Sequence, residues 1–296
     1  MRISVMHSGG KTIQLQAGHY QSKIVTVGAG LAELTHHGRH VVIPHKPEKM
    51  PLAHLGKVLV PWPNRVTNGC YQHNGKTFQL AVNDLVSHTA IHGLLAWRDW
   101  QINQQSASEV SLMIFLPPSY GYPFTLLVEA TYRLDAINGL HVFITTMNIG
   151  SEPAPYGCGA HPYLTCDLEK IDGCTLTLPT DEAWSTDSLE TYSVARTELN
   201  FTTPRPVSAT QIDHTFKTPD SGVEWEVRIF SEAKNMTTWL RCDQPWLQVY
   251  SGEKLNRLGL AVEPMTCPPD AFNSGIDLIS LPPGEMHRLH FLIGAE

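Results

Sequence analysis

The 21 prolines of this 296-residue chain are scattered along its length, and no other feature limits its fold as much. A proline inside a helix removes a backbone donor and clashes with the preceding turn. Between the prolines there is no helical apolar period longer than two turns. Alternating patterns stand there instead. Residues 109–116 (EVSLMIFL), 124–135 (FTLLVEATYRLD) and 140–149 (LHVFITTMNI) place apolar and polar side chains in turn, the period of a pleated strand. They are rich in Val, Ile, Thr, Phe and Tyr, which suit a half-buried sheet. Asn138-Gly139 lies between two of these runs and is a hairpin signal. Shorter strands are expected at 223–230, 236–241, 246–250, 259–262 and 287–293. Many short strands with closely spaced turns predict an all-β sandwich or barrel. Residues 178–206 form the most polar, least periodic stretch, read as loops and short strands on the same sandwich. One domain is expected over residues 1–296.

Charge narrows the partners. With 21 Lys and Arg against 28 Asp and Glu, the net charge is −7. No basic run is present to neutralise a phosphate backbone, so nucleic acid is not an expected partner. The first twenty residues lack the apolar core of a secretion signal. No apolar run approaches the roughly 18 residues of a membrane helix. Cys70, Cys158, Cys166, Cys174, Cys242 and Cys267 include no Cys-x-x-Cys pair and read as reduced packing thiols. Together these features predict a cytoplasmic protein with no membrane partner. The oligomeric state is not readable.

Several segments carry polar chemistry. Gly28-Ala-Gly-Leu-Ala-Glu33 resembles the start of a dinucleotide fingerprint, but Glu33 would oppose a pyrophosphate, so a turn is expected. His36, His37 and His40 form a solvent-facing turn rather than a metal site. Cys158 and His161 have zinc-like spacing without a second pair. Gly157-Cys-Gly-Ala-His161-Pro-Tyr163 holds an imidazole on a stiff segment, since Pro162 restricts His161 to extended backbone. Val60-Pro-Trp62-Pro-Asn-Arg65 offers an aromatic face and a rigid donor fork. Ile91-His92-Gly93 stands near Trp97 and Trp100. Asp213 reads as a turn or loop carboxylate. Leu260-Ala-Val-Glu263-Pro ends an apolar strand in a carboxylate at a proline corner, and a buried Glu needs a partner or a function.

Taken in order, the Pro-Trp-Pro-Asn-Arg65 loop, Ile-His92-Gly, Gly-Cys-Gly-Ala-His161-Pro-Tyr, the Asp213 loop and Val-Glu263-Pro-Met-Thr-Cys-Pro-Pro-Asp-Ala-Phe272 resemble the aldose 1-epimerase family, the galactose mutarotases. The Arg65 loop and the Glu263 segment are most similar to its bacterial branch. The resemblance implies a large antiparallel β-sandwich, the galactose mutarotase-like supersandwich. It implies Glu263 as general base and His161 as general acid. His92 and Arg65 would position sugar oxygens, Asp213 would hold sugar hydroxyls, and Trp62, Tyr163 and Phe272 would wall the pocket. The expected activity interconverts the α and β anomers of a hexose by opening and closing the ring, without metal or cofactor. On ordinary pKa values Glu263 is ionised at neutral pH and a nearby carboxylate raises the His161 imidazole. The alternatives are a mutarotase for an anionic sugar, using cations such as Lys57, Arg98 or His214, a non-catalytic sugar-binding protein, and a glycoside hydrolase using Asp213 and Glu263 as a carboxylate pair.

Overall fold

The computed structural model describes residues 7–185, 197–218 and 222–296. Antiparallel strands dominate them, and α-helix among the described residues is one turn, Ala271–Ser274. The first sheet is a meander of Thr12–Ala17, Tyr20–Val25, Gly30–His36 and Arg39–His40. Its second connection is the expected turn rather than a nucleotide loop. Gly28 and Ala29 have φ of 71° and 44°, and Glu33 turns back to pair with Lys23 at 2.9 Å.

The long alternating runs build the nine-stranded sheet. Leu126–Asp135 and Gly139–Asn148 pair along their whole lengths. Leu126, Val128, Ala130 and Leu134 face the core. Burying each large aliphatic contributes about 1.5–3 kcal/mol. Asp135 closes the hairpin by accepting the N–H groups of Ile137 and Asn138 at 2.8 and 2.7 Å, and Gly139 supplies the left-handed residue with φ 80°. Within the 178–206 stretch, Ala183–Ser185 and Arg205–Pro206 are edge strands of two different sheets. Residues 186–196 of that stretch lie outside the described residues. A continuous apolar cluster joins Ile13 and Leu34 of the meander to Val128 and Ile229 of the nine-stranded sheet and to Val249 and Val262 of a seven-stranded sheet. The architecture is a large antiparallel β-sandwich.

The seven-stranded sheet positions the site. Its order is Ala183–Ser185, Asp213–Lys217, Trp246–Tyr250, Leu260–Met265, Gly159–Ala160 and Val58–Leu59, with Tyr163–Leu164 also pairing with Leu260–Met265. Two expectations change here. The strand expected to stop at Val262 runs through Glu263 and Pro264 to Met265, so Glu263 is a mid-strand residue. Pro264 is tolerated because it still faces Leu247 on one side, while on the other side the pairing is interrupted between Ala160 and Tyr163, where Val262 N–H still donates to Pro162 O at 3.1 Å. Asp213, expected in a loop, is the first residue of a strand.

All six cysteines are free, and five are buried. No described helix is long and apolar enough to cross a membrane.

Candidate active site

Strand register assembles the central groups. Gly159 faces Met265 and Tyr163 faces Ala261. Counting inward from both pairs makes His161 the partner of Glu263. On the other flank Gln248 faces Glu263, and Thr215 faces Gln248. Thr215, Gln248, Glu263 and His161 therefore form one row across the sheet, and residues in such a row share a face. His161 Nε2 lies 3.3 Å from Glu263 Oε1. Both side chains are almost fully buried. Prolines 162 and 264 lack N–H groups, which opens the ladder beside this contact.

A second pair of strands supplies the opposite wall. Arg65–Thr67 pairs with Thr89–Ile91, and Arg65 faces Ile91. Asn64 and His92 extend that ladder. The His92 N–H donates to Asn64 O at 2.8 Å, and the Asn64 N–H donates to His92 Nδ1 at 3.3 Å. That bond places the ring proton of neutral His92 on Nε2. The following turn requires glycine, since Gly93 has φ 73° and an added Cβ would stand 2.2 Å from Val60 O. The His92 ring meets the His161 ring edge-on at 5.1 Å.

These walls enclose a cavity of about 360 Å³ lined by Glu263, His161, His92, Arg65, Asp213 and Tyr163. All six were expected in the site. Tyr163 stacks on His161 with ring centroids 5.0 Å apart. Trp62 and Phe272 do not line the cavity. They are buried against each other at 5.5 Å, and the Trp62 indole donates to Ala90 O. Their apolar area packs into the core instead of a sugar face. His54, Gln248, Tyr250 and Lys254 also line the cavity, and the sequence motifs did not signal them. The Gln248 amide donates to Asp213 Oδ1 at 2.8 Å and accepts from Thr215 Oγ1. Asn64 Oδ1, Arg65 Nε and Glu263 Oε2 are buried without hydrogen-bond partners, which leaves two acceptors and a donor for a bound molecule.

Burial reverses the ionisation expected from the sequence. It pushes the Glu263 carboxyl well above the usual range, with Asp213 adding to the shift and Arg65 opposing it. It also pushes His161 down to about 3, with His54 adding to that shift. Removal from water disfavours the charged form of each group more than their proximity favours an ion pair. The pair thus holds one proton, resting on the carboxyl. His54 is pushed down to about 4, by burial first and by Lys57 second. His92 is lowered by burial. Three neutral imidazoles therefore line the cavity together with the carboxyl.

His92, His161 and Glu263 have donor atoms within 4.8 Å of one another. Two neutral imidazoles and a carboxylate are a competent ligand set for a divalent transition metal. The Arg65 guanidinium in the same cavity opposes further positive charge. No other such group forms among the described residues, so His36, His37 and His40 make no ligand set, nor does Cys158 with His161.

The fold thus carries a buried His–Glu pair under a polar cavity. The aldose 1-epimerase family profile matches residues 11–294. The chain belongs to the aldose 1-epimerase family. It is 55% identical over 297 residues to YihR of Escherichia coli (strain K12), an uncharacterized protein, covering 99% of this chain and 96% of that one. The GalM/aldose epimerase homologue from C. elegans superposes with a TM-score of 0.86 at 18% identity, covering 97% of this chain and 98% of its own. Galactose 1-epimerase from Lactobacillus acidophilus NCFM gives 0.82 at 19% identity, covering 96% and 94%.

Proposed function

We propose that the protein is a mutarotase that interconverts the α and β anomers of a hexose by acid/base-catalysed ring opening and closure. The observation that supports this reading is the 3.3 Å contact between His161 Nε2 and Glu263 Oε1 at a buried, polar cavity. In the reactive form the shared proton sits on His161. Sugar hydroxyls and Arg65 stabilise the Glu263 carboxylate while it does. Glu263 takes the proton of the C1 hydroxyl, C1=O forms, and the bond from C1 to the ring oxygen breaks. The ring oxygen takes the proton from His161. The pair is left as a neutral acid and a neutral imidazole, the form that burial favours. Ring opening thus ends in the protonation state in which the free protein rests. Rotation about C1–C2 presents the other face, and closure runs the same steps backward. The balance of protons closes without an outside donor, and these steps call for no cofactor.

A second reading is favoured by one observation: Arg65 and Lys254 both line the cavity, so a sugar bearing an anionic substituent finds two cations. The other cations considered lie elsewhere. Lys57 is buried with its ammonium on Val27 O, and neither Arg98 nor His214 lines the cavity. We further propose a single domain over residues 1–296 acting in the cytoplasm.

The test is one-dimensional NMR exchange between anomers across neutral, phosphorylated and sulfonated aldoses, with Glu263→Gln alongside. Exchange above the buffer rate that disappears in the variant supports the mutarotase. Reaction or competition by anionic sugars alone favours the second reading. Sugar binding with no exchange would sink both and leave a binding protein.

A further inference from the structure

We propose that Arg257, which does not line the cavity, is the positioning residue that sets the Asp213–Lys254 wall. The proposal rests on the mutarotase reading only through its kinetic assay. The Arg257 guanidinium is one-sixth exposed, at 16%, and joins three separate segments. Nε donates to the Asp172 carboxylate at 3.0 Å. Nη1 donates to Glu253 Oε1 at 2.8 Å. Nη2 donates to the carbonyls of Ser208 and Thr210 at 2.8 and 3.2 Å. The backbone adds two bonds: Arg257 N–H to Gly252 O, and Ile171 N–H to Arg257 O, both 2.9 Å. Asn256 and Arg257 both hold φ of 56°. Side chains with a Cβ adopt that region at a cost, of order 1 kcal/mol each, when surrounding contacts fix it.

Two of the three segments lead directly into the cavity. From Thr210 the chain reaches Ile212, whose N–H donates to Ser251 Oγ at 2.9 Å and whose carbonyl accepts the Ser251 N–H at 2.8 Å. Asp213 follows. Ser251 Oγ donates in turn to Glu253 Oε1, the oxygen that Arg257 also reaches. Lys254 comes next, and its N–H donates to Tyr250 Oη at 3.0 Å. One planar fork therefore fixes the distance between Asp213 and Lys254. Glu263 and His161 are held instead by strand register. Arg257 thus acts chiefly on sugar binding, and reaches the acid/base pair only through the charges of Asp213 and Lys254.

Lysine keeps the charge but cannot present a fork to three segments. In Arg257→Lys we expect KM to rise by up to about 100-fold, with kcat within about 3-fold of wild type. In an Asp213→Ala background the same substitution should change KM by no more than about 3-fold, since coupled residues are non-additive. Glu253→Gln retains Arg257, weakens one arm, and should shift KM in the same direction if the lysine variant does not fold. Hydrogen exchange needs no substrate: the Ile212 and Lys254 amides should exchange faster in Arg257→Lys, and the Glu263 amide should not. Unchanged KM with unchanged amide protection would overturn the proposal, as would an equal fall in kcat or a KM effect that persists in full without Asp213. Absence of anomer exchange in the wild type would count against the mutarotase reading, leaving the exchange data to decide on Arg257.

Discussion

Gln248 faces Glu263 across neighbouring strands while its side-chain amide donates to Asp213 at 2.8 Å. One residue therefore stands beside the proposed base and braces the carboxylate proposed to hold sugar hydroxyls. Its amide oxygen is occupied by the Thr215 hydroxyl, so the amide cannot turn over without losing both bonds. Gln248→Leu should raise KM by about 10-fold and lower stability by about 1–3 kcal/mol, because the buried Thr215 hydroxyl loses its acceptor. Saturation kinetics and a denaturant melt check both parts.

Glu263→Gln keeps the shape of the side chain and removes its proton chemistry. His161→Asn does the same for the acid. Each should lower kcat by about 10²–10⁴-fold, the range for a positioned acid or base, with the melting temperature retained. NMR exchange at saturating sugar reads the rate. Turnover near wild type in either variant would exclude that residue from the proton transfer.

In the proposed mechanism the pair works with one proton. A second proton adds only as pH falls through about 3, where His161 titrates, and the single proton is lost only above the ordinary carboxylate range. The rate should therefore not fall as pH drops through 6.5 and 4.3, about the ordinary values for His and Glu, and should decline as pH rises through the raised carboxyl value. A decline from pH 7 to 5 that follows an ordinary histidine would contradict the assignment.

Acid should destabilise the protein early. His45 and His54 are pushed down to about 4 by burial, while an unfolded histidine titrates near 6.5. Between those values the unfolded chain binds more protons, so stability falls as pH drops from 6.5 to 4. Each pKa unit corresponds to about 1.4 kcal/mol before solvent screening is discounted. His45→Gln should flatten part of that slope in denaturant melts at pH 7 and 4.5.

Lys57 is fully buried, 5.3 Å from the centre of the Trp97 ring, and burial pushes it down to about 8. Its charge helps keep His54 neutral. Lys57→Met, similar in length and uncharged, should raise the His54 pKa toward its ordinary value. Imidazole proton shifts followed against pH would show it.

The strands were legible because alternation is a local property. The runs at 109–116 and 246–250 match Glu109–Leu116 and Trp246–Tyr250. Local patterns also misled. Proline usually ends an interior strand, yet Pro264 stays inside one, where pairing on its far side is interrupted between Ala160 and Tyr163. The motif residues Arg65, His92, His161, Asp213 and Glu263 do gather around the cavity. Trp62 and Phe272 could not be assigned to pocket or core from type alone, since a sugar face and a core contact both call for an aromatic ring. His54, Gln248 and Lys254 gave no signal because their importance comes from segments distant in the chain. The ionisation of Glu263 was misjudged for the same reason: its isolation from water is a property of the assembled sheet.

Because Thr215, Gln248, Glu263 and His161 meet as a row, their meeting depends on counting. One residue inserted within the strand Trp246–Tyr250 or within Leu260–Met265 would turn Gln248 or Glu263 to the opposite face of the sheet. The composition would hardly change, but the row would be broken. Substitutions on the far face leave the count intact. Chains of this shape can thus drift widely in sequence while strand lengths around the row stay fixed, and insertions should accumulate in the turns instead.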